Sequence, residues 1–314
     1  MGFMSQQRIK NWLPFAFLVF MIVFFSIENP AYFSERNLYN LLRQMSILLI
    51  VSTAATFVIL MGSIDLSVGA TLTLAGIILA KYVESYGLWV IFIGLGVGLI
   101  CGIINAIIFV YFNIPSFLAT LGTNSFFLGL AYMLCGGSPV TFTHQAFRWI
   151  GNGNIFDKFP VIAIWAFLIY LFTCFIANNT RFGRFVFAIG GGEKVAELSG
   201  VRVNLYKAVT MCLSGLLCGA AGVMLTARIG AATPEMGGSF LLESIAATVM
   251  GGTALTGGMG GPIRTFLGVV IIAMLSAGLT IMGIHVFTQL LVKGLVVILA
   301  VAMTMDKSKI EIIK

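Results

Sequence analysis

Few side chains in this sequence have the type and spacing that chemistry requires. Its two histidines, His144 and His285, have no carboxylate at a spacing that would make a catalytic pair, and neither H-E-x-x-H nor G-x-S-x-G occurs. The segment most like a phosphate-binding loop, Gly190 to Val195, lacks both the spacing and the hydroxyl residue of such a loop. The sequence therefore predicts a protein that is not an enzyme. Any energy source must be a partner or an ion gradient, and otherwise there is none.

The five cysteines do not have the spacing of a metal site or a redox pair. None belongs to a C-x-x-C motif, and four lie well inside apolar runs, with Cys135 near the end of another. We interpret them as small packing residues, and we expect this chain itself to bind no metal and no cofactor. The other four are Cys101, Cys174, Cys212 and Cys218.

Two ionisable residues stand out because apolar sequence surrounds them. Asp65 interrupts two apolar runs, and a carboxylate in such a place is costly, so it either touches a substrate path or caps the following helix. The capping interpretation is favoured. Lys293, in the last apolar run, either faces a cavity, or snorkels, or pairs. Four further residues either line a polar route or make interhelical hydrogen bonds: Asn105, Thr123, Asn124 and Gln289.

Composition decides the class of protein. The chain is 59% hydrophobic and 9% charged, whereas soluble domains carry about 25% charged residues. This composition predicts an all-α polytopic membrane protein and argues against a soluble enzyme. The formal net charge of +7 would serve nucleic-acid binding only if it were clustered on a soluble face, and we expect no nucleic-acid partner.

The apolar runs predict about ten transmembrane helices in a single domain, 1–314. The runs that begin at Ser63 and Ser244 are the least regular, because Asp65 and several glycines interrupt them. An amphipathic stretch, 37–44, leads into the second run. The predicted spans are 12–27, the run ending at 61, 63–80, 88–112, 118–134, 160–177, 208–227, 244–257, 265–283 and 287–303.

The distribution of basic residues predicts that both termini are cytoplasmic. Cytoplasmic segments would hold eleven basic residues and external segments six, and the external acidic residues, Glu243 among them, also number six. The cytoplasmic set is Arg8, Lys10, Arg181, Arg184, Lys194, Arg202, Lys207, Arg264, Lys307, Lys309 and Lys314. The external basic set is Arg36, Arg43, Lys81, Arg148, Lys158 and Arg228.

The longest charged segment, 178–207, predicts a cytoplasmic loop that binds a partner. Within it, residues 193–199 predict a short helix, and Gly200 is suited to the left-handed conformation that ends one. Val195 and Leu198 share an apolar face, while Glu193 and Glu197 point elsewhere. A short amphipathic helix outside the bilayer needs something to cover that face.

Glycines at intervals of four predict close helix packing. Gly94, Gly98 and Gly102 form a stripe in the fourth span that Ala106 continues, and the seventh span has the pair Gly215 and Gly219. Close backbone approach supplies packing energy between helices in lipid. A nucleotide-binding loop is excluded because no strand–turn–helix pattern surrounds these glycines.

Five motifs, in one order along nearly the whole chain, resemble the permease subunits of ribose/xylose/galactose-type ABC importers, a branch of the branched-chain amino-acid permease superfamily. They are 62–69 (GSIDLSVG), 114–122 (IPSFLATLG), 180–184 (TRFGR), 198–201 (LSGV) and 251–260 (GGTALTGGMG). The resemblance implies the ABC importer permease fold in a bacterial inner (plasma) membrane. It also implies a second permease copy and a sugar-binding protein outside the cell membrane. ATP and Mg would be bound by a separate cytoplasmic subunit.

The resemblance further implies that segment 178–207 is the coupling loop that docks on the ATPase. The residues expected to couple are Arg184, Glu193, Val195, Glu197, Leu198 and Gly200. One departure concerns the sequence after Gly192. The family often has Gly-Asn-Glu followed by two alanines, whereas this chain has Gly192, Glu193, Lys194 and Val195. This difference puts the docking contacts in question and points to a particular ATPase partner.

The sequence thus predicts a monosaccharide importer permease, with lipid around it and a polar route suited to sugar hydroxyls. One alternative within the class is a branched-chain amino-acid or nucleoside permease. An alternative outside the class is an ion-driven secondary transporter, which would need several intramembrane carboxylates, whereas Asp65 is alone.

Overall fold

The computed structural model describes residues 2–156 and 158–304, with side chains for 14–156, 158–299 and 302. The C-terminal tail predicted to be cytoplasmic, including Lys307, Lys309 and Lys314, lies outside the described residues. Thirteen α-helices occur in the described ranges: α1 (Gly2–Glu28), α2 (Glu35–Leu60), α3 (Val68–Tyr86), α4 (Val90–Ala106), α5 (Ser116–Cys135), α6 (Gln145–Asn152), α7 (Val161–Asn179), α8 (Arg181–Gly191), α9 (Glu193–Leu198), α10 (Val203–Ile229), α11 (Gly238–Met250), α12 (Pro262–Ile281) and α13 (Val286–Thr304).

Helix α2 is the centre of the bundle. Every residue from Ser46 to Leu60 is buried, and α2 packs against α7, α10, α11 and α12. Its Thr56 hydroxyl shares hydrogen bonds with the hydroxyls of Thr265 (2.7 Å) and Thr248 (3.2 Å). Three helices are therefore joined by side-chain hydrogen bonds at a depth where water is excluded.

Helices α3 and α4 form a hairpin that packs on α10. A 3₁₀ turn, Gly87–Trp89, joins them, and Gly87 has a φ of 56°, which favours glycine. A Cβ on Gly98 of α4 would overlap the carbonyl oxygen of Gly215 and lie 2.7 Å from the Cα of Gly219. The prediction that these glycines permit close helix packing is confirmed.

Small elements close the two ends of the bundle. At one end β1 (Val140–Thr141) pairs with β4 (Ala231–Ala232), β2 (Asn154–Ile155) pairs with β3 (Phe159–Pro160), and α6 lies across the end of α10. At the other end α8 and the loop 251–261 meet the end of α2, where the N–H of Gly258 donates to the carbonyl of Leu60 over 2.9 Å. Segment 178–207 therefore lies at the end opposite α6.

Six helical stretches in the described part of the chain are long and apolar enough to cross a membrane. They are Glu35–Leu60, Val68–Tyr111, Ser116–Cys135, Val161–Asn179, Val203–Ile229 and Pro262–Ile281. The second has 44 residues and contains the α3–α4 hairpin. Three shorter apolar stretches are Pro14–Glu28, Gly238–Met250 and Val286–Leu299.

Several predicted boundaries differ from the observed ones. The third span continues to Tyr86, through the polar turn predicted from residue 81, because residues 81–86 prolong α3 before Gly87 ends it. The eighth span, predicted at 244–257, is observed as α11, Gly238–Met250. The residues after Met250 that were predicted to continue it belong instead to the glycine-rich loop 251–261. Five glycines of that loop have a positive φ: Gly252, Gly257, Gly258, Gly260 and Gly261. Helices α6 and α8 were not predicted.

Candidate functional site

The break between α2 and α3 holds the buried carboxylate. Asp65 is 6% exposed, and its Oδ1 accepts hydrogen bonds from the N–H of Ser67 (2.9 Å) and the hydroxyl of Ser67 (2.7 Å). Its Oδ2 accepts from the hydroxyl of Ser214 on α10, at 2.8 Å. Hydroxyl and amide donors thus stabilise the carboxylate, and it forms no ion pair with any described residue.

The prediction that Asp65 is the N-cap residue of the following helix is wrong in position. Helix α3 begins at Val68 and its N-cap residue is Ser67, which makes no side-chain capping bond. Asp65 instead accepts the N–H of Ser67 two residues along, in the manner of an Asx turn. The carboxylate still satisfies a backbone donor at the helix entry, so it retains the structural part of the capping interpretation.

Hydrogen bonds extend this site to α4 and α5. The amide of Asn105 donates to the hydroxyl of Ser67 over 2.7 Å, and the hydroxyl of Thr123 donates to Asn105 Oδ1 over 2.6 Å. Ser116 and Thr120 of α5 accept the backbone N–H groups of Ile64 (3.2 Å) and Leu66 (2.9 Å). Three helices, α4, α5 and α10, are therefore fastened to one unwound segment by buried polar side chains.

Lys293 and Gln289 form a second group of polar side chains, on α13. The ammonium of Lys293 lies 2.7 Å from Glu243 Oε1 on α11, with the two side chains 19% and 9% exposed. Gln289 Nε2 donates to the carbonyl of Ile284 over 2.9 Å. The assignment of Glu243 to an external segment is wrong, because the residue lies within α11 and forms an ion pair there.

The six residues predicted to line a path are not gathered at one site. Asp65, Asn105 and Thr123 belong to one hydrogen-bonded network, and Gln289 and Lys293 lie on α13. Asn124 of α5 is partly exposed, and its side chain makes no hydrogen bond with any described residue. Sequence reasoning missed Ser67, Ser214 and Glu243. Ser67 lies in the same motif as Asp65, whereas nothing in the local sequence marks Ser214 or Glu243 as a partner.

The charged segment presents an exposed apolar face. Val195 is 69% exposed and Leu198 is 79% exposed, while Ala196, on the opposite face of α9, is buried. Arg184 on α8 is exposed as well. Gly200 has a φ of 85°, as expected for the residue that ends this short helix. Val195 and Leu198 thus remain available for a partner.

Acidic residues flank that apolar face. Glu193 pairs with Lys207 of α10 at 2.7 Å, which fixes α9 to the bundle, and Glu197 pairs with Lys194 at 2.9 Å on the surface. The ammonium of Lys207 also lies 5.1 Å from the centre of the Phe109 ring. Both glutamates border a polar pocket of about 270 Å³ that includes Arg202 and Asn204. The surface therefore combines an apolar pair with a charged rim.

Comparison with known proteins identifies related chains. Residues 37–301 match the family described as "Branched-chain amino acid transport system / permease component". The chain is 40% identical to the ribose import permease protein RbsC of Bacillus subtilis (strain 168) over 299 aligned residues. The alignment covers 94% of this chain and 92% of that protein.

Two more distant relatives also match almost end to end. The ribose import permease protein RbsC of Escherichia coli (strain K12) is 35% identical over 290 residues, which is 90% of each chain. The galactose/methyl galactoside import permease protein MglC of the same strain is 31% identical over 315 residues, which is 94% of each chain. No solved structure matches the chain.

Proposed function

The chain belongs to the permease-component family of branched-chain amino acid transport systems, and from that premise we propose that it is the membrane subunit of an ATP-driven monosaccharide importer. The observation that carries the choice of a sugar is the set of relatives. Ribose and galactose import permeases match this chain over 90% or more of their length. A ribose-like pentose or a galactose-like hexose is therefore the substrate class.

ATP is hydrolysed on a separate subunit in this proposal. The sequence has no phosphate-binding loop, and the exposed pair Val195 and Leu198 offers a docking surface on α9. Burial of one leucine stabilises a complex by roughly 2 kcal/mol. We assign coupling to this pair together with Arg184, Glu193, Glu197 and Gly200, and we assign ATP and Mg to the partner.

Ten spans with both termini in the cytoplasm are the topology that we propose. The six long stretches, with the α3–α4 hairpin counted as two helices, and the three shorter apolar stretches add up to this number. Helices α6, α8 and α9 are then the segments outside the bilayer. The whole chain, 1–314, forms one transmembrane domain, and 178–207 is its cytoplasmic loop.

The remaining partners follow from this topology. A sugar-binding protein would dock at the end that carries α6, and a second permease copy would complete the path. Of the six candidate path residues, Asn124 is the one whose amide is free to meet a sugar hydroxyl. The other five are engaged with protein groups, and we assign them to holding the helices that border the path.

Reconstitution tests the function directly. The permease would be purified with its ATPase subunit, placed in vesicles with the sugar-binding protein, and supplied with labelled ribose or galactose. We expect uptake only when ATP and the ATPase are both present. Labelled leucine and a labelled nucleoside are tested in parallel, because the family description includes amino-acid transport.

Three outcomes would contradict the proposal. Uptake driven by a proton or sodium gradient without the ATPase would make the protein a secondary transporter. Transport of leucine or a nucleoside with no sugar transport would change the substrate class. ATP hydrolysis by the permease alone would contradict the division of labour. A Walker-motif lysine variant of the ATPase is the matched control.

A further inference from the structure

An apolar groove lies on the side of the bundle, beneath α6. It encloses about 600 Å³ between α4, α7 and α10, with α6 as its roof. Its lining side chains are apolar, apart from the indole N–H groups of two tryptophans. They include Leu95, Trp149, Trp165, Ile169, Ala220 and Met224.

The groove opens on an apolar side surface of the bundle. Its back wall on α10 is deep, since Val223 and Met224 are 4% and 5% exposed. The flanking helices carry large apolar side chains beside the opening, with Phe92 of α4 65% exposed and Phe172 of α7 62% exposed. The groove is thus continuous with the apolar faces of helices that are long enough to span a membrane.

We propose that this groove binds one acyl chain of a membrane glycerophospholipid. The inference rests on the proposed function only for the orientation, which puts α6 outside the cell and the chain in the outer leaflet. Water is a poor occupant, because an ordered water needs two or more polar partners and the lining offers few. An empty groove would lose the dispersion contacts of every lining atom. Hydrocarbon from the adjacent bilayer supplies these contacts.

Dimensions and tryptophan positions fit a chain that enters from the headgroup region. Leu88 of the 3₁₀ turn and Leu95 of α4 both line the groove. Seven residues of chain that are mostly α-helical span about 10 Å, or two-thirds of the roughly 15 Å of hydrocarbon in one leaflet. Trp149, at the roof, is 53% exposed, and amphipathic indoles favour the level of the lipid headgroups. The groove therefore runs from the headgroup level toward the middle of the bilayer.

Photolabelling tests the proposal. The permease with its ATPase would be placed in vesicles of phosphatidylethanolamine and phosphatidylglycerol that contain a phosphatidylcholine with a diazirine at mid-chain. After irradiation, peptides would be mapped by mass spectrometry. We expect adducts on Val223 or Met224, which a chain reaches only from inside the groove, as well as on the exposed Phe172.

Variants that fill the groove separate this site from ordinary lipid contact. Ala220→Phe at the back wall and Ala146→Phe at the roof should abolish labelling of α10 and leave labelling of Phe172 unchanged. Ala163→Phe on α7 lies outside the groove lining and is the matched control, so it should preserve both signals.

Two results would overturn the proposal. The first is labelling of Phe172 with none on α10 of the unaltered protein, which would mean that no chain enters the groove. The second is labelling of α10 only after the permease dimer is separated, which would mean that a second copy covers the groove. The assay needs neither sugar nor ATP hydrolysis, so a negative result leaves the importer function untouched.

Discussion

Asp65 shows how a buried carboxylate can be stabilised in a membrane protein with no basic partner among the residues that the structure describes. Three hydrogen bonds, two from Ser67 and one from Ser214, satisfy it. Each donor would be left without an acceptor if the carboxylate were removed. An unsatisfied buried donor costs about 1–3 kcal/mol, so the residue contributes to holding the α2–α3 break against α10.

Removal of this carboxylate should therefore destabilise the fold. We expect Asp65→Ala to lower the free energy of unfolding by about 2–4 kcal/mol, and Asp65→Asn to cost less because its amide oxygen can still accept from Ser67. Thermal unfolding of the purified proteins in one detergent is the measurement. Asn124→Ala, which removes a side chain that makes no hydrogen bond with described residues, should change stability by less than about 0.5 kcal/mol. Equal stability of Asp65→Ala and the unaltered protein, with lost uptake, would instead favour direct contact with substrate.

The polar residues also show where sequence reasoning stops at this scale. Asp65 and Lys293 stand out in the sequence because an apolar run makes any charge conspicuous. Their partners Ser214 and Glu243 lie 149 and 50 residues away, and only the tertiary fold brings them near. The sequence predicted Glu243 to be external because it lies at the edge of a weak apolar run. Helix α11 begins earlier, at Gly238, and contains Glu243.

At the scale of elements, the α4–α10 contact depends on the absence of side chains. Gly98 faces the backbone of Gly215 and Gly219. At Gly96, two residues earlier on the same helix, no described atom outside the helix's own backbone lies within 4 Å of where a Cβ would be. This difference makes a matched pair of positions. The helices can approach closely at Gly98 only while it has no Cβ.

Gly98→Val should separate the two helices and Gly96→Val should not. Overpacking of this kind costs about 1–3 kcal/mol or more, because the obstructing atoms belong to backbone that cannot rotate away. We expect a lower yield of folded protein and a lower melting temperature for Gly98→Val, measured by fluorescence-detected size exclusion and thermal unfolding. Matching losses for both variants would show that helix propensity, and not the contact, sets the cost.

Helix α9 is the element that we propose docks on the ATPase. Leu198→Asp should weaken ATPase association by at least about 2 kcal/mol, because it would place a carboxylate in the apolar contact that we propose for α9. Glu197→Gln should cost under about 1 kcal/mol, since its pair with Lys194 is exposed. Co-purification with the ATPase, beside an uptake assay, is the measurement. Normal co-purification and uptake of Leu198→Asp would disprove the coupling role, and loss of the protein from the membrane would indicate a structural one.

At the scale of the molecule, much of the arrangement could be predicted from apolar length and charge. The observed helices α2, α5, α7 and α12 lie within a few residues of predicted spans, because a long apolar run has few alternatives in a membrane. The position of loop 251–261 could not be predicted from the sequence, because its glycines pack on the ends of α2 and α8. For example, the N–H of Gly258 donates to the carbonyl of Leu60. Such a contact between distant segments leaves no periodic signal.

The corrected position of Glu243 leaves the charge argument for topology unchanged. Glu243 is paired with Lys293 inside the bundle, but the positive-inside rule counts Lys and Arg and gives acidic residues little weight. The sequence still predicts eleven basic residues on the cytoplasmic side and six outside, so the orientation stays a prediction.

Cysteine labelling in intact cells tests this orientation. In a variant with the five native cysteines replaced and uptake retained, single cysteines would be introduced by Ser138→Cys, between α5 and β1, and by Ser199→Cys, directly after α9. Both serines are exposed, so accessibility depends only on the side of the membrane. An impermeant maleimide should label position 138 in intact cells and position 199 only after permeabilisation. Labelling of position 199 in intact cells would invert the topology, and it would remove α9 from the reach of any cytoplasmic ATPase.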